Sequence, residues 1–190
     1  ISGTGDVVQK VGEYTFTLPP TAFWQAHHQA LSTYSDLITQ WVTGGQYGVE
    51  PVGWDLYGGV GALVPALHHA LGNNSHIHSV ESARIMATSG QVTFGDNVHF
   101  HIGLVGNLVD TLPQPDVVVL DPPRVGAGAD VVTRIAARKP QRVIHIGCDP
   151  ATFATDIRAW SQAGYHLSDI VVVNAFPGTH HFETLGLLQP

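Results

Sequence analysis

The stretch WDLYGGVGALVPAL, Trp54 to Leu67, decides the fold. It reads as a strand, a glycine turn and then a helix. Gly58, Gly59 and Gly61 allow a tight turn and a close backbone approach to a ligand, and the amino end of the following helix offers unpaired N–H groups. Outward from this unit the chain alternates between short apolar runs and longer amphipathic ones. Strands are expected over residues 52–56, 77–80, 98–102, 117–120, 142–146 and 170–173, with a last apolar strand over 181–188. Helices are expected over 62–71, 82–88, 130–137 and 151–163. Ahead of the glycine unit, EYTFTLPP (13–20) alternates like a short strand closed by Pro-Pro. The spacing of Phe23, Trp24, Ala30, Leu31, Tyr34, Leu37, Ile38 and Trp41 predicts an amphipathic helix over 21–42, stopped at Gly44-Gly45. Strands alternating with helices mean an α/β, doubly wound, Rossmann-like domain, its mostly parallel sheet covered on both faces. Ligands in such folds sit at the carboxyl ends of the strands.

The 190 residues are 44% hydrophobic and 12% charged, enough apolar content for one domain with a full core and too little charge for a disordered chain. No apolar run approaches the ~20 residues that span a bilayer, so a soluble protein without a membrane partner is expected. A single cysteine excludes an intrachain disulfide framework and an all-thiolate zinc or iron–sulfur site. Eight basic and fifteen acidic residues give a net charge of −7, which argues against nucleic acid, but the average hides an asymmetry. Up to Pro123 there are two basic residues against ten acidic, and from Arg124 onward six against five. An anion-facing surface is therefore expected from the second half. The chain starts at Ile1, its only methionine is Met86, and no signal-peptide pattern opens it. It is expected to be a 1–190 catalytic domain cut from a longer protein.

Two acidic residues narrow the choice of cofactor. Asp55 lies at the strand end before the glycines, where it meets an ammonium group better than a pyrophosphate. Glu81 follows the second strand, 20 residues past Gly61, placed to accept both hydrogen bonds of a ribose diol. Together they favour S-adenosyl-L-methionine over a dinucleotide. A structural turn with a solvated glutamate is the plainer alternative.

The second half carries the chemistry. VVVLDPPRVG puts Asp121 just beyond an apolar strand, and the two prolines force the chain out of the sheet. VIHIGCDPATFATD places Cys148 at another strand end, ahead of a helix started by Asp149 and Pro150. A helix amino end favours a thiolate, so Cys148 is expected to be a nucleophile with a lowered pKa rather than a buried small hydrophobe. FPGTHHFE brings Glu183 to a sheet turn.

Taken in order, FWQAHHQA, DLYGGVG, SVE, LDPPRVG, GCDPATFATD and NAFPGTHHFE resemble the motifs of the RNA uracil-5-methyltransferases, the 5-methyluridine enzymes of tRNA and rRNA. The resemblance runs from about Phe16 to Leu188. It implies a methyltransferase fold with an antiparallel strand near the C-terminus, a cytoplasmic enzyme and an RNA substrate (tRNA or rRNA). It also implies attack of the Cys148 thiolate on uracil C6, methyl transfer to C5 and removal of the C5 proton by Glu183. Gln25, Asp121 and the glycine loop with Tyr57 match the family's cofactor contacts, and Glu81 its ribose contact. Asp121, Arg124 and His181 fall at substrate-side positions, with either His180 or His181 ordering the site. The target base must be flipped out to reach such a pocket. The chain departs from the family in having Gly58-Gly59 for Cys-Gly, His27 for Asn and Gly147 for Ser. It also has no acidic residue near Leu104 and Val105, where the adenine is expected.

Other constellations are weaker. His76/His78 and His99/His101 each share a strand face, but without a third ligand at motif spacing they do not make a metal site. A Cys148–His hydrolase has no accompanying oxyanion motif. The group Arg138-Lys139-Arg142 reads equally as a phosphate contact or a solvated helix end. Two further readings stay open: a cofactor- or RNA-binding module without turnover, and a methyltransferase for another nucleobase position. The sequence does not fix the oligomeric state.

Overall fold

The structure, a computed structural model, describes residues 5–179 and 181–190. A hairpin of β1 (Val7–Val11) and β2 (Tyr14–Leu18) precedes helix α1 (Ala30–Val42). Then follow β3 (Val52–Leu56), α2 (Val64–Leu71), β4 (His76–Glu81), α3 (Arg84–Thr93), β5 (Val98–Ile102) and the short α4 (Val105–Leu108). The second half comprises β6 (Val117–Leu120), α5 (Ala129–Ala137), β7 (Arg142–Gly147), α6 (Pro150–Gln162), β8 (His166–Val173) and β9 (Glu183–Gln189).

Seven strands form one sheet in the order β5-β4-β3-β6-β7-β9-β8. All run parallel except β9, which is antiparallel to both neighbours. The chain winds outward from β3 to β5, then returns to lay β6 on the other side of β3. The switch point between β3 and β6 is where a doubly wound sheet opens a crevice. Alternation along the strands fills both faces. Val117, Val119, Ile144 and Ile146 join a core with α1, α2 and the hairpin, whereas Val118, Leu120 and Val143 join Val132, Ile135 and Trp160 on the opposite face.

The structure corrects several boundaries. Residues 21–29 are not helical, and α1 begins only at Ala30. The apolar spacing that suggested helix there comes from a loop whose Trp24 packs on Phe16 of β2, 5.9 Å between ring centroids. β1 has no counterpart among the expected strands, and it pairs with β2 across the left-handed Gly12. Helix α3 runs on to Thr93, and β8 starts at His166, earlier than the apolar run 170–173 indicated.

A buried polar cluster ties the two later elements together. Trp160 of α6 donates its indole N–H to His145 Nδ1 in β7 at 3.1 Å. Indole only donates, so a neutral His145 carries its proton on Nε2, which faces Asp156 Oδ2 at 3.4 Å. Asp156 also accepts the amides of Ala127 (2.7 Å) and Gly128 (3.0 Å), pinning the loop after β6 to α6. Burial opposes its charge, but the adjacent His145 ring and the amide hydrogen bonds outweigh that and hold its carboxyl below the ordinary range. A Cβ on Gly126 (φ +82°) would stand 2.7 Å from Asp156 Oδ2, so the loop comes this close only with glycine. Asp156→Ala leaves several buried donors unpaired and is expected to cost about 3 kcal/mol. Thermal unfolding should show it as a fall of roughly 6–12 °C in Tm for a domain of this size.

Candidate functional site

The carboxyl ends of the parallel strands and the start of antiparallel β9 lie along one edge of the sheet. That edge brings together Tyr57 and Gly59 after β3, Glu81 ending β4, Asp121 and Arg124 after β6, Cys148 after β7 and Glu183 starting β9. All of them line one cleft of ≈ 770 Å³, roofed by residues 19–25 ahead of α1. From this roof Gln25 Nε2 donates to Asp121 Oδ2 at 3.3 Å, linking positions 96 residues apart.

The glycine loop is shaped by close approach. A Cβ on Gly58 would lie 2.2 Å from Asp55 Oδ2 and 2.3 Å from Ser79 Oγ, so no larger residue fits. Gly59 and Gly61 adopt positive φ, and so does Tyr57 at 61°, a conformation that is costly for a non-glycine residue. Glu81 fixes the loop by accepting Gly59 N–H at 3.0 Å on Oε2 and Ala83 N–H at 2.6 Å on Oε1. Asp55 is buried and accepts the Ser79 hydroxyl at 2.9 Å. Gly61 faces Phe100 rather than the cleft, so its part is in the turn. Beyond Glu81 the wall becomes apolar, with Ile85, Leu104 and Val105.

Burial shapes the titration of this wall. It pushes the carboxyl of Asp55 up to about 7, partly offset by the Ser79 hydrogen bond. Asp121 rises to about 7 through burial and the neighbouring Glu183. Burial also raises Glu183 to about 7 against the pull of Arg124, and its Oε2 has no hydrogen-bond partner. The expectation of a lowered Cys148 pKa is overturned. Burial first, then Glu183 and Asp121, push the thiol up, with Arg124 acting the other way. The helix amides meant to favour a thiolate are already taken, since Asp149 Oδ1 accepts Ala151 N–H (3.0 Å) and Thr152 N–H (2.9 Å).

Other expected residues fall differently. His181 does not line the cleft. Its ring packs edge-on against Phe176, which does, at 6.4 Å between centroids. His180 lies outside the described residues. His76, His78, His99 and His101 stack as a ladder across β4 and β5, with His78 Nδ1 3.0 Å from His101 Nε2. No group of three or more His, Cys, Asp or Glu among the described residues is arranged to hold a metal ion. The two arginines of the basic run serve structure. Arg138 donates to the Leu112 carbonyl, and Arg142 donates to the Trp41 and Val42 carbonyls closing α1. Arg134 pairs with Asp110 and Asp130. Arg124 is the one Lys or Arg among the described residues lining the cleft.

Sheet order and cleft define the class: a Rossmann-like methyltransferase fold. Pyrococcus abyssi tRNA (uracil-54, C5)-methyltransferase, solved in complex with S-adenosyl-L-homocysteine, is similar at a TM-score of 0.81 and 21% identity, over 98% of this chain and 45% of that one. Aeropyrum pernix fibrillarin, solved with natively bound S-adenosyl-L-methionine, gives a TM-score of 0.62 at 15% identity, over 96% and 83% of the two chains. Residues 74–190 match the family described as tRNA (uracil-5-)-methyltransferase. A Corynebacterium efficiens protein described as an uncharacterized RNA methyltransferase is 51% identical over 98% of this chain and 45% of its own length. The chain therefore belongs to the tRNA (uracil-5-)-methyltransferase family, and it spans about half the length of the curated relatives it matches.

Raised carboxyl pKa values carry a sign for stability. Between the ordinary carboxyl range and about pH 7, folded Asp55, Asp121 and Glu183 hold protons that the unfolded chain releases. Their contribution is complete below the unfolded pKa and is lost as pH rises through the folded one. His68, His78 and His101, whose pKa values are lowered, act the other way, so the readout is the Tm of Asp121→Asn minus that of the parent, which is expected to rise from about pH 5 to about pH 8. A difference that stays constant or falls over the same window contradicts the raised Asp121 carboxyl.

Proposed function

We propose that this chain is the catalytic domain of an S-adenosyl-L-methionine-dependent enzyme that methylates C5 of a uridine in tRNA or rRNA. The observation carrying this reading is the meeting of Cys148, Glu183 and Asp121 on one cleft wall beside the glycine loop.

The residues fit the cofactor. The Gly58–Gly59 turn admits a ligand closely, and Asp55 and Asp121 supply negative charge for its cationic end. Glu81 stands at the end of β4 for the ribose, and the apolar wall of Ile85 and Leu104 accepts the adenine by surface burial. Gln25 and Tyr57 close the same cleft. When bound, S-adenosylmethionine supplies an electrophilic methyl group.

The rest of the chemistry falls to side chains of the chain. Uracil C5 is a poor nucleophile until the Cys148 thiol gives up its proton to solvent and the resulting thiolate adds to C6, forming a C–S bond and leaving C5 enolate-like. Arg124 is the cleft cation that favours the thiolate, opposing Glu183 and Asp121. Once C5 carries the methyl group, its remaining proton passes to a Glu183 oxygen. The electron pair of that C–H bond re-forms the C5–C6 double bond and expels the sulfur. A carboxyl with a pKa of about 7 is suited to taking a proton near neutrality.

RNA is the proposed partner, with Arg124 beside the base or its phosphate. One cleft arginine is little positive charge for a polyanion. Most of the RNA grip is therefore proposed to lie away from this cleft. A cytoplasmic site of action is proposed with that substrate. No helix among the described residues is long and apolar enough to cross a membrane.

Incubation with cofactor and RNA carrying 5-fluorouridine at the target tests the reading, because fluorine at C5 cannot leave as a proton. A covalent protein–RNA complex is expected that Cys148→Ala abolishes, and methyl transfer surviving that substitution contradicts the mechanism. Glu183→Gln is expected to accumulate an adduct on ordinary RNA. Prompt release of methylated product would falsify the role of base.

A further inference from the structure

Beneath the glycine loop lies a second, smaller cavity of ≈ 60 Å³. Its walls include Asp55, Gly58, Gly59 and Asp121, with Gln25 above them and Tyr34 of α1. Tyr34 is 0% exposed, and its hydroxyl has no hydrogen-bond partner. An unpaired buried hydroxyl costs about 1–3 kcal/mol. Phenylalanine would fill nearly the same volume without that cost, so packing alone does not account for the oxygen.

The surroundings specify what the hydroxyl can do. Burial, then Glu183, Asp121 and Cys148, push its pKa upward, so it stays a neutral O–H able to donate. No Lys or Arg among the described residues lines this cavity, and one N–H of the Gln25 amide is engaged with Asp121. The tail of the cofactor proposed above carries an ammonium and a carboxylate. Asp55 and Asp121 attract the ammonium and repel the carboxylate, which therefore needs a donor that is not itself an acid.

We propose that the Tyr34 hydroxyl is this donor, binding the carboxylate of the amino-acid tail of S-adenosylmethionine. The role rests on the cofactor reading of the cleft and extends it to a residue outside the motifs. On α1 the tyrosine is rigidly held, with Leu31 of the same helix also lining the cavity. The donor is thus fixed before the ligand arrives, and no ordering of a mobile side chain is needed.

Calorimetry on the chain and its Tyr34→Phe variant tests this with three probes. S-adenosylhomocysteine carries the whole tail, its decarboxylated form keeps only the ammonium, and 5′-methylthioadenosine lacks the tail. The substitution is expected to raise the Kd of S-adenosylhomocysteine about tenfold or more, the range of a hydrogen bond to a charged group. The Kd values of the other two ligands should not change, and the Tm of the ligand-free variant should equal or exceed that of the parent. Equal weakening of all three ligands shows a structural role and overturns the proposal. An unchanged Kd for S-adenosylhomocysteine overturns it too, and leaves water or substrate as the partner of the hydroxyl. If the parent chain binds none of the three probes, the cofactor reading fails first and the role of Tyr34 falls with it.

Discussion

The site depends on three carboxyl groups along one edge of a mostly parallel sheet, Asp55 and Glu183 buried and Asp121 half-buried, with Arg124 acting on Glu183. Asp55, Asp121 and Glu183 come from the ends of three different strands, and burial keeps each from ionising readily. Their neighbours are arranged around that cost. Ser79 donates to Asp55, Gln25 reaches across from the roof to Asp121, and Gly58 leaves out a side chain that would strike Asp55. Such a wall is poorly matched to an anion and well matched to a guest carrying positive charge. A sulfonium next to an ammonium is such a guest.

The doubly wound topology explains why this wall is assembled from distant pieces of sequence. Parallel strands deliver their carboxyl ends to one edge, so the residues after β3, β4, β6 and β7 converge without further instruction. The exception is β9, which runs antiparallel and therefore contributes its first residue, Glu183, to the same edge. The Asp156 cluster then fixes the loop carrying Arg124 against the helix that follows Cys148. Cys148, Arg124 and Glu183 are thus held by backbone geometry rather than by direct contacts among themselves.

The sheet was largely legible because its central strands are short apolar runs bounded by glycine, proline or acid. The glycine loop, LDPPR and the Cys-Asp-Pro segment all stand where their residue types required. The 21–29 segment was misread because Phe23 and Trp24 supply helical spacing while serving as loop anchors. β1 was hidden because Val7 and Val8 face solvent and give no buried alternation. The thiol was expected to ionise more easily from its place before a helix, but Asp149, the very cap that starts the helix, takes those amides. Arg138 and Arg142 read equally as a phosphate contact or a solvated helix end because sequence shows charge and not the carbonyls it serves. Asp156 closes the motif GCDPATFATD, and its acid on the buried face of α6 was the available signal. Tyr34 sat within an apolar stripe, where a hydroxyl is easily read as one more aromatic core residue.

The charge character of the cleft is tested most directly by comparing S-adenosylmethionine with S-adenosylhomocysteine by calorimetry at about pH 6 and about pH 8. The two ligands differ by one methyl group and one positive charge at sulfur. Deprotonation of carboxyls with pKa values of about 7 makes the wall more negative across this window. The sulfonium ligand is therefore expected to gain affinity relative to the thioether as pH rises. A ratio of the two Kd values that stays constant or moves the other way would contradict a site built on buried carboxyls facing a cation.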